Sequence, residues 1–292
     1  MSEQLPHQDV IVGDNPAEIA ARVAGTATYT PLYPAKIDGL LRMGDDALIL
    51  TQRLLEWSFK APVLEEDIAI SNTGLDLLGQ ARMLYTYAGS LMDPAKSEDD
   101  LAYWRSGAEF RCAHIVQIEN GDFAETVARN LAFALYQQLL YGALQRSTDS
   151  QIAAIAKKSS KEVAYHVDHF SLWALRLGDG TDESHARMQA GFDRIWPYVA
   201  ELFDADAGVE ATGGPTDALF DELVADGTFV DTKALHEPWL ARMTATIETS
   251  TCTVPTTKWH ARGGRRGEHT AHLDRILAEM QSVARAYPDA TW

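Results

Sequence analysis

Apolar positions along this chain recur in threes and fours over long stretches, the spacing of helices with one face in a core. The longest stretch begins near Gln151, where Ile152, Ile155, Ser159, Val163, His166, Phe170, Trp173 and Leu177 fall on one stripe and Gly178 with Gly180 ends it. A helix predicted from about Ala35 to Phe59 carries two stripes, one through Leu40, Ala47, Leu50, Leu54 and Trp57 and one through Leu41, Leu48, Ile49, Leu55 and Phe59. It should therefore pack on two sides. Another runs from about Leu64 to Leu91 and opens on the acidic turn of Glu65, Glu66 and Asp67, which suits a helix N-terminus. Gly74 and Gly79 in its middle predict close helix packing, because glycine costs ~1 kcal/mol relative to alanine in a helix interior. A further long helix spans about Phe123 to Arg146.

Two long pairs joined by a longer connector match the ferritin-like variant of the four-helix bundle. Additional helical segments are read at Glu183 to Asp206, Leu235 to Thr251 and Glu268 to Tyr287, and no strand-rich or repetitive region is apparent. The expectation is an all-α protein, a ferritin-like four-helix bundle with additional C-terminal helices. Residues 1–35, with four prolines among small and polar residues, read as a flexible N-terminal arm. Residues 36–292 read as the helical domain, with the core bundle at about 36–180 and a helical extension at about 181–292.

The 292 residues are 46% hydrophobic, ample for a sizeable core, and 42 acidic against 25 basic residues give a net charge of −17. That charge argues against nonspecific binding to nucleic acid or an anionic membrane surface. Only Cys112 and Cys252 occur, no apolar run reaches the ~20 residues of a membrane span, and the N-terminus lacks a basic-then-apolar signal, so a cytoplasmic protein is expected. Glycine-rich nucleotide loops, nucleophile elbows and Cys-His dyads are missing from the sequence.

Glu162, His166 and His169 lie on one side of the longest helix, the kind of placement from which a bundle builds a di-iron centre. Two readings stay open at that point: metal ligands, or a polar pair satisfying itself inside the bundle. A di-iron carboxylate site takes a Glu from each of two helices and a Glu-x-x-His pair from each of the other two. The second helix offers only Asp76 with Gly79 or Leu77 with Gln80, and the fourth pairs Glu162 with Tyr165 while His166 falls one residue too far. Thr126, Asn130 and Ala134 of the third helix carry no carboxylate, and the first offers Asp45, Asp46 and Glu56, with Glu56 the inward candidate. The expectation is a vestigial, metal-free and non-catalytic centre at Glu56, Asp76, Gln80, Glu162, Tyr165 and His166, with Gln80 or Arg82 completing a polar cluster. His269 and His272 beside Glu268 form a weaker candidate metal set. Arg262, Arg265 and Arg266 make the densest positive patch, in a loop before a helix N-terminus, suited to an acidic partner surface or to phosphates.

Several stretches resemble one family. GLDLLGQAR at Gly74 to Arg82, the run from Lys161 to Gln189, AELFDAD at Ala200 to Asp206 and GGRRGEHTAHLDRILAEMQ at Gly263 to Gln281 look like the PaaC-type structural subunits of phenylacetyl-CoA monooxygenase (ring-1,2-epoxidase) complexes, over about Leu40 to Trp292. The resemblance implies a ferritin-like bundle with a non-catalytic, structural role in aerobic phenylacetate catabolism and no cofactor of its own. It implies as partners a homologous catalytic subunit that holds the di-iron centre, further small subunits and a reductase. The complex uses O2 and reducing equivalents to epoxidise the ring of phenylacetyl-CoA, and Arg262, Arg265 and Arg266 become candidate contacts to a partner or to the CoA phosphates. The alternatives are an autonomous di-iron carboxylate oxygenase or oxidase, and a ferritin-like metal-binding bundle.

Overall fold

The structure, a computed structural model, describes residues 33–203 and 215–290, with the backbone alone over 215–219. The predicted arm thus lies almost wholly outside the described residues, as does the end of the AELFDAD stretch. Four long helices form the core: α1 (Ala35–Leu55), α2 (Leu64–Ser90), α5 (Phe123–Leu144) and α6 (Ser150–Gly178). Between the pairs, the connector carries the short helices α3 (Glu98–Tyr103) and α4 (His114–Gln117). After the bundle come α7 (Asp182–Val199), α8 (Pro215–Ala225), α9 (His236–Thr249), α10 (Ala271–Met280) and α11 (Ser282–Ala286). No strand occurs among the described residues. The molecule is an all-α, ferritin-like bundle with C-terminal helical additions.

Side-chain contacts fix how the helices run. Tyr85 reaches Asp45 and Thr51 reaches the Gly74 carbonyl, so α1 and α2 are antiparallel. Gln80 meets Glu162 and Asp76 meets His166, which makes α2 antiparallel to α6. Gln145 bonds Ser160 while Phe123 stacks edge-on against Trp173, giving the same relation between α5 and α6. Polar caps set the helix starts. Asp122 accepts from the Glu125 amide, and Asp149 accepts from those of Gln151 and Ile152. Asp149 also takes the Tyr87 hydroxyl at 2.6 Å and the Lys36 ammonium, joining three helix ends at one carboxylate. Burial would raise its pKa, but the bonds from Lys36 and Tyr87 and the capped amides bring it down to about 2.

The two-sided first helix is as expected: α1 is buried through most of its length. It stops at Leu55, however, and not at Phe59. Residues 56–60 turn back on themselves, Phe59 takes φ 64°, and its ring is 98% exposed. The added helices are not a separate layer, because α7 packs on α5 and α6 while α9 reaches both of the same helices. Trp239 of α9 is fully buried, donates its indole N–H to the Ala132 carbonyl at 2.9 Å and packs against Trp196 and Phe203.

The glycines of α1 and α2 divide differently from the expectation. A Cβ on Gly44 would lie 2.6 Å from the Tyr85 ring, and one on Gly74 would sit in ordinary contact with Leu54. Gly79, by contrast, has nothing within 4 Å of where its Cβ would be. The close packing predicted there is not made by any described residue. Gly44→Ala should lower stability by ~1–3 kcal/mol through overpacking against Tyr85. Gly142→Ala, where a Cβ also meets nothing within 4 Å, should raise it by up to ~1 kcal/mol; urea titrations of the two variants check both signs.

Candidate functional site

The polar centre of the bundle lies where α2, α5 and α6 converge. Gln80 is fully buried, and its carboxamide oxygen accepts from Gln137 Nε2 at 3.1 Å and from the Tyr141 hydroxyl at 3.2 Å. Its Nε2 donates to Glu162 Oε2 at 3.1 Å. One turn along the seam, His166 Nε2 is 3.0 Å from Asp76 Oδ2. Further along, His169 Nε2 lies 3.1 Å from Glu66 Oε2 without the alignment of a hydrogen bond, and Tyr165 stacks on the His169 ring. Burial raises the Glu162 pKa, with the Gln80 amide acting against it. It also lowers that of His166 despite the neighbouring Asp76, which favours the neutral imidazole.

This donor set does not suit a di-iron centre. The converging groups at its middle are two carboxamides, a phenol and one carboxylate, whereas such a site needs several carboxylates and imidazoles at once. Asn130, on the facing side of α5, turns back to bond the Thr126 carbonyl of its own helix. Among the described residues, no three His, Cys, Asp or Glu side chains converge to hold a metal ion.

Of the sequence candidates, Gln80 with Glu162 and Asp76 with His166 are brought together in pairs. Tyr165 is 52% exposed, meets His166 and His169 only through its ring, and has no hydrogen bond to the pairs. Glu56 is not inward either. It follows the last turn of α1, where its carboxylate takes Arg53 at 2.7 Å and Asn120 at 3.0 Å. Asn120 in turn accepts from the buried Arg129, so Glu56 is the outer end of a relay from an arginine that has no direct carboxylate partner among the described residues.

The sequence profile described as phenylacetic acid catabolic protein matches residues 24–292. The chain belongs to this family. Over 252 residues it is 41% identical to a protein of Escherichia coli (strain K12) named as one of the subunits, lettered C, of 1,2-phenylacetyl-CoA epoxidase, covering 86% of this chain and 97% of that protein. The family resemblance read from the sequence is therefore shown, as is the helical architecture it implied.

A second polar cluster, far larger than the first, is the feature that sequence reasoning missed. Asp38, Asp45 and Asp46 project from α1 and are all nearly inaccessible. Asp45 takes Arg105 through both terminal nitrogens, at 2.5 and 3.1 Å, together with the Tyr85 hydroxyl and the Arg111 amide. Asp46 takes the Ala113 amide and Arg265 Nη1, each at 2.8 Å. Asp38 meets Arg42 and Arg111. Beside them, Glu201 accepts from the amides of His114 and Gly264 and from His114 Nδ1. The sequence signal was weak but present: Asp38 and Asp45, seven residues apart, fall on one side of a helix that carries two apolar stripes.

Arg265 therefore does not belong to an exposed patch. At 3% exposure it turns inward to Asp46 and to the Arg111 carbonyl, so it is closed to a partner or to phosphates. Gly263 and Gly267, at φ 96° and 82°, let the loop make this inward turn. Arg262 stays exposed, and Arg266 is partly buried, 3.8 Å from Glu268. His269 and His272 do not share a site. His269 bonds Gln117 and the Phe110 carbonyl, while His272 lies 3.3 Å from Glu119.

Removing one member of a buried pair leaves the other charge uncompensated. Arg265→Met should cost ~3–5 kcal/mol, and combining it with Asp46→Asn should recover part of that loss; a double-mutant cycle in denaturant checks both.

Burial, with His114 nearby, pulls the His269 pKa down to about 4. The neutral ring donates from Nε2 to Phe110 and accepts at Nδ1 from Gln117, a tautomer assigned from its partners. A histidine depressed from its usual ~6.5 stabilises the fold above that pH, and the contribution is lost as pH falls toward its folded value. Glu201, desolvated but held by His114 at a pKa of about 2, loses its own contribution only below ~4.5. For His114 the burial effect is outweighed by Glu201 and the pKa is raised, so its contribution is intact in acid and fades as pH rises. The urea midpoint should thus drop between pH 6.5 and 4, and His269→Gln should flatten that part of the profile.

Proposed function

We propose that this chain is a non-catalytic, structural subunit of a multicomponent oxygenase that epoxidises the ring of phenylacetyl-CoA, in aerobic phenylacetate catabolism. In this reading the di-iron centre and the chemistry belong to a separate catalytic subunit, with further small subunits and a reductase completing the system. The observation that carries it is the Gln80 centre. Where a catalytic bundle of this architecture needs ligands, two glutamines, a tyrosine and one glutamate stand instead, joined to one another through the Gln80 carboxamide. The kinship with a protein named as one subunit of a phenylacetyl-CoA epoxidase supports the assignment to a complex.

What the chain supplies in this role is shape. Its long helices are locked by buried ion pairs and caps, so it can present a fixed surface against which a less rigid, ligand-binding bundle is held. The test is reconstitution from separately purified subunits. This chain alone should bring no stoichiometric iron and turn over no phenylacetyl-CoA, while its omission should abolish or sharply reduce epoxidation by the remaining subunits. Roughly two irons per chain, lost together with activity in Glu162→Ala, would overturn the proposal in favour of an autonomous oxygenase.

A further inference from the structure

Phe59 is held in an unusual way. It has φ 64°, a region that bulky side chains rarely adopt, and its ring is 98% exposed. No described residue packs it there. Its backbone amide is instead tied at 2.7 Å to Asp67 Oδ2 in the first turn of α2, so the ring is aimed outward by a backbone anchor. A strained residue that the surroundings hold in place is a pointer to function.

The outward side of α2 continues from that point. Leu64, Ile68 and Leu75 are all more than half exposed, and with Gly79 they fall on one stripe at helical spacing. Across the seam, Tyr165 and Leu172 of α6 are exposed too. Gly79 has ordinary helical geometry and open space around it, so neither its backbone nor any described residue beside it requires a glycine. A glycine on an apolar stripe is of use where another helix must approach closely. The far end of the face is basic, with Lys157, Lys158 and Lys161 exposed on α6, while Arg82 of α2 is already paired with Glu98.

We propose that this face, anchored by Phe59 and centred on Leu75 and Gly79, is where a different subunit of the complex docks. The occupant presents an apolar helical ridge that closes on Gly79, a pocket for the Phe59 ring, and acidic side chains opposite the lysines. A second copy of this chain fits less well, because each copy brings a net charge of −17 to the contact. Isolated exposed apolar residues need no explanation, but a strained aromatic, an aliphatic stripe and an open glycine on one surface do. The inference rests on the proposed subunit role and adds the surface that serves it.

The stability and assembly effects of the test variants run in opposite directions. Phe59→Gly relieves the left-handed residue and Gly79→Leu fills empty space with a better helix former, so both chains should melt at or above the wild-type temperature. Both should nevertheless weaken binding to the co-expressed subunits of the complex by about 30-fold or more, as loss of an interface anchor does. Val283→Asp, at an exposed apolar position on α11, is the control and should bind as wild type does. Binding is read by titration calorimetry and by the mass of the complex on size exclusion. If the wild-type chain captures a second subunit and the two face variants do so equally well, this surface is wrong while the subunit role stands. A wild-type chain that captures no other subunit removes the premise itself. One that forms only a homodimer, lost in Phe59→Gly, overturns the choice of partner.

Discussion

A carboxylate sealed inside a helical core must be met by a cation or by a full set of donors, and α1 seals three of them. Asp38, Asp45 and Asp46 cannot be hydrated where they lie, so the segments that supply Arg105, Arg111 and Arg265 are drawn to them. The path of the connector between α2 and α5 follows from this requirement. So does the inward turn of the loop before α10, whose Gly264 amide and Arg265 guanidinium both end on buried carboxylates. Hydrophobic burial makes the bundle compact, but these pairs decide which loop lies against which helix, since a shift of one turn would strand a charge.

The interior of this bundle is therefore polar in two ways that serve different ends. The cluster on α1 sets each carboxylate against an arginine and faces the connector and the loop before α10. The Gln80 centre between α2, α5 and α6 holds a single carboxylate, and there Gln137 and Tyr141 both donate to the Gln80 carboxamide oxygen while its Nε2 donates to Glu162. A site that must bind and release ligands keeps groups with spare valence, whereas a centre whose donors and acceptors are mutually matched resists rearrangement. The Gln80 carboxamide is held at both its oxygen and its nitrogen in this way, which suits the structural role proposed for the chain.

The same division appears on the surface. α1 is enclosed by the rest of the chain, while α2, its antiparallel neighbour, turns Leu64, Ile68 and Leu75 outward around an open Gly79. α2 packs on α1 and α6 through its inner side and leaves this stripe to solvent among the described residues.

The hydrophobic spacing alone determined the four long helices, their pairing and the class of bundle, because a stripe repeating every three or four residues has only one way to be buried. It also showed that the Glu-x-x-His register is broken at Gln80 and His166, since register is a property of the chain and not of its folding. Three matters were decided only in the tertiary structure. Arg265 looked like part of a surface patch because charge density along a loop says nothing about which way a side chain turns; the buried Asp46, more than two hundred residues earlier, settles it. Glu56 looked inward because helical periodicity was carried past Leu55, where the chain instead breaks into the turn that throws Phe59 out. Gly79 looked packed because a glycine in mid-helix costs stability, but no described residue comes within 4 Å of where its Cβ would be. In each case periodicity gives a residue's angle on its own helix, while burial depends on what arrives from elsewhere in the fold to cover it.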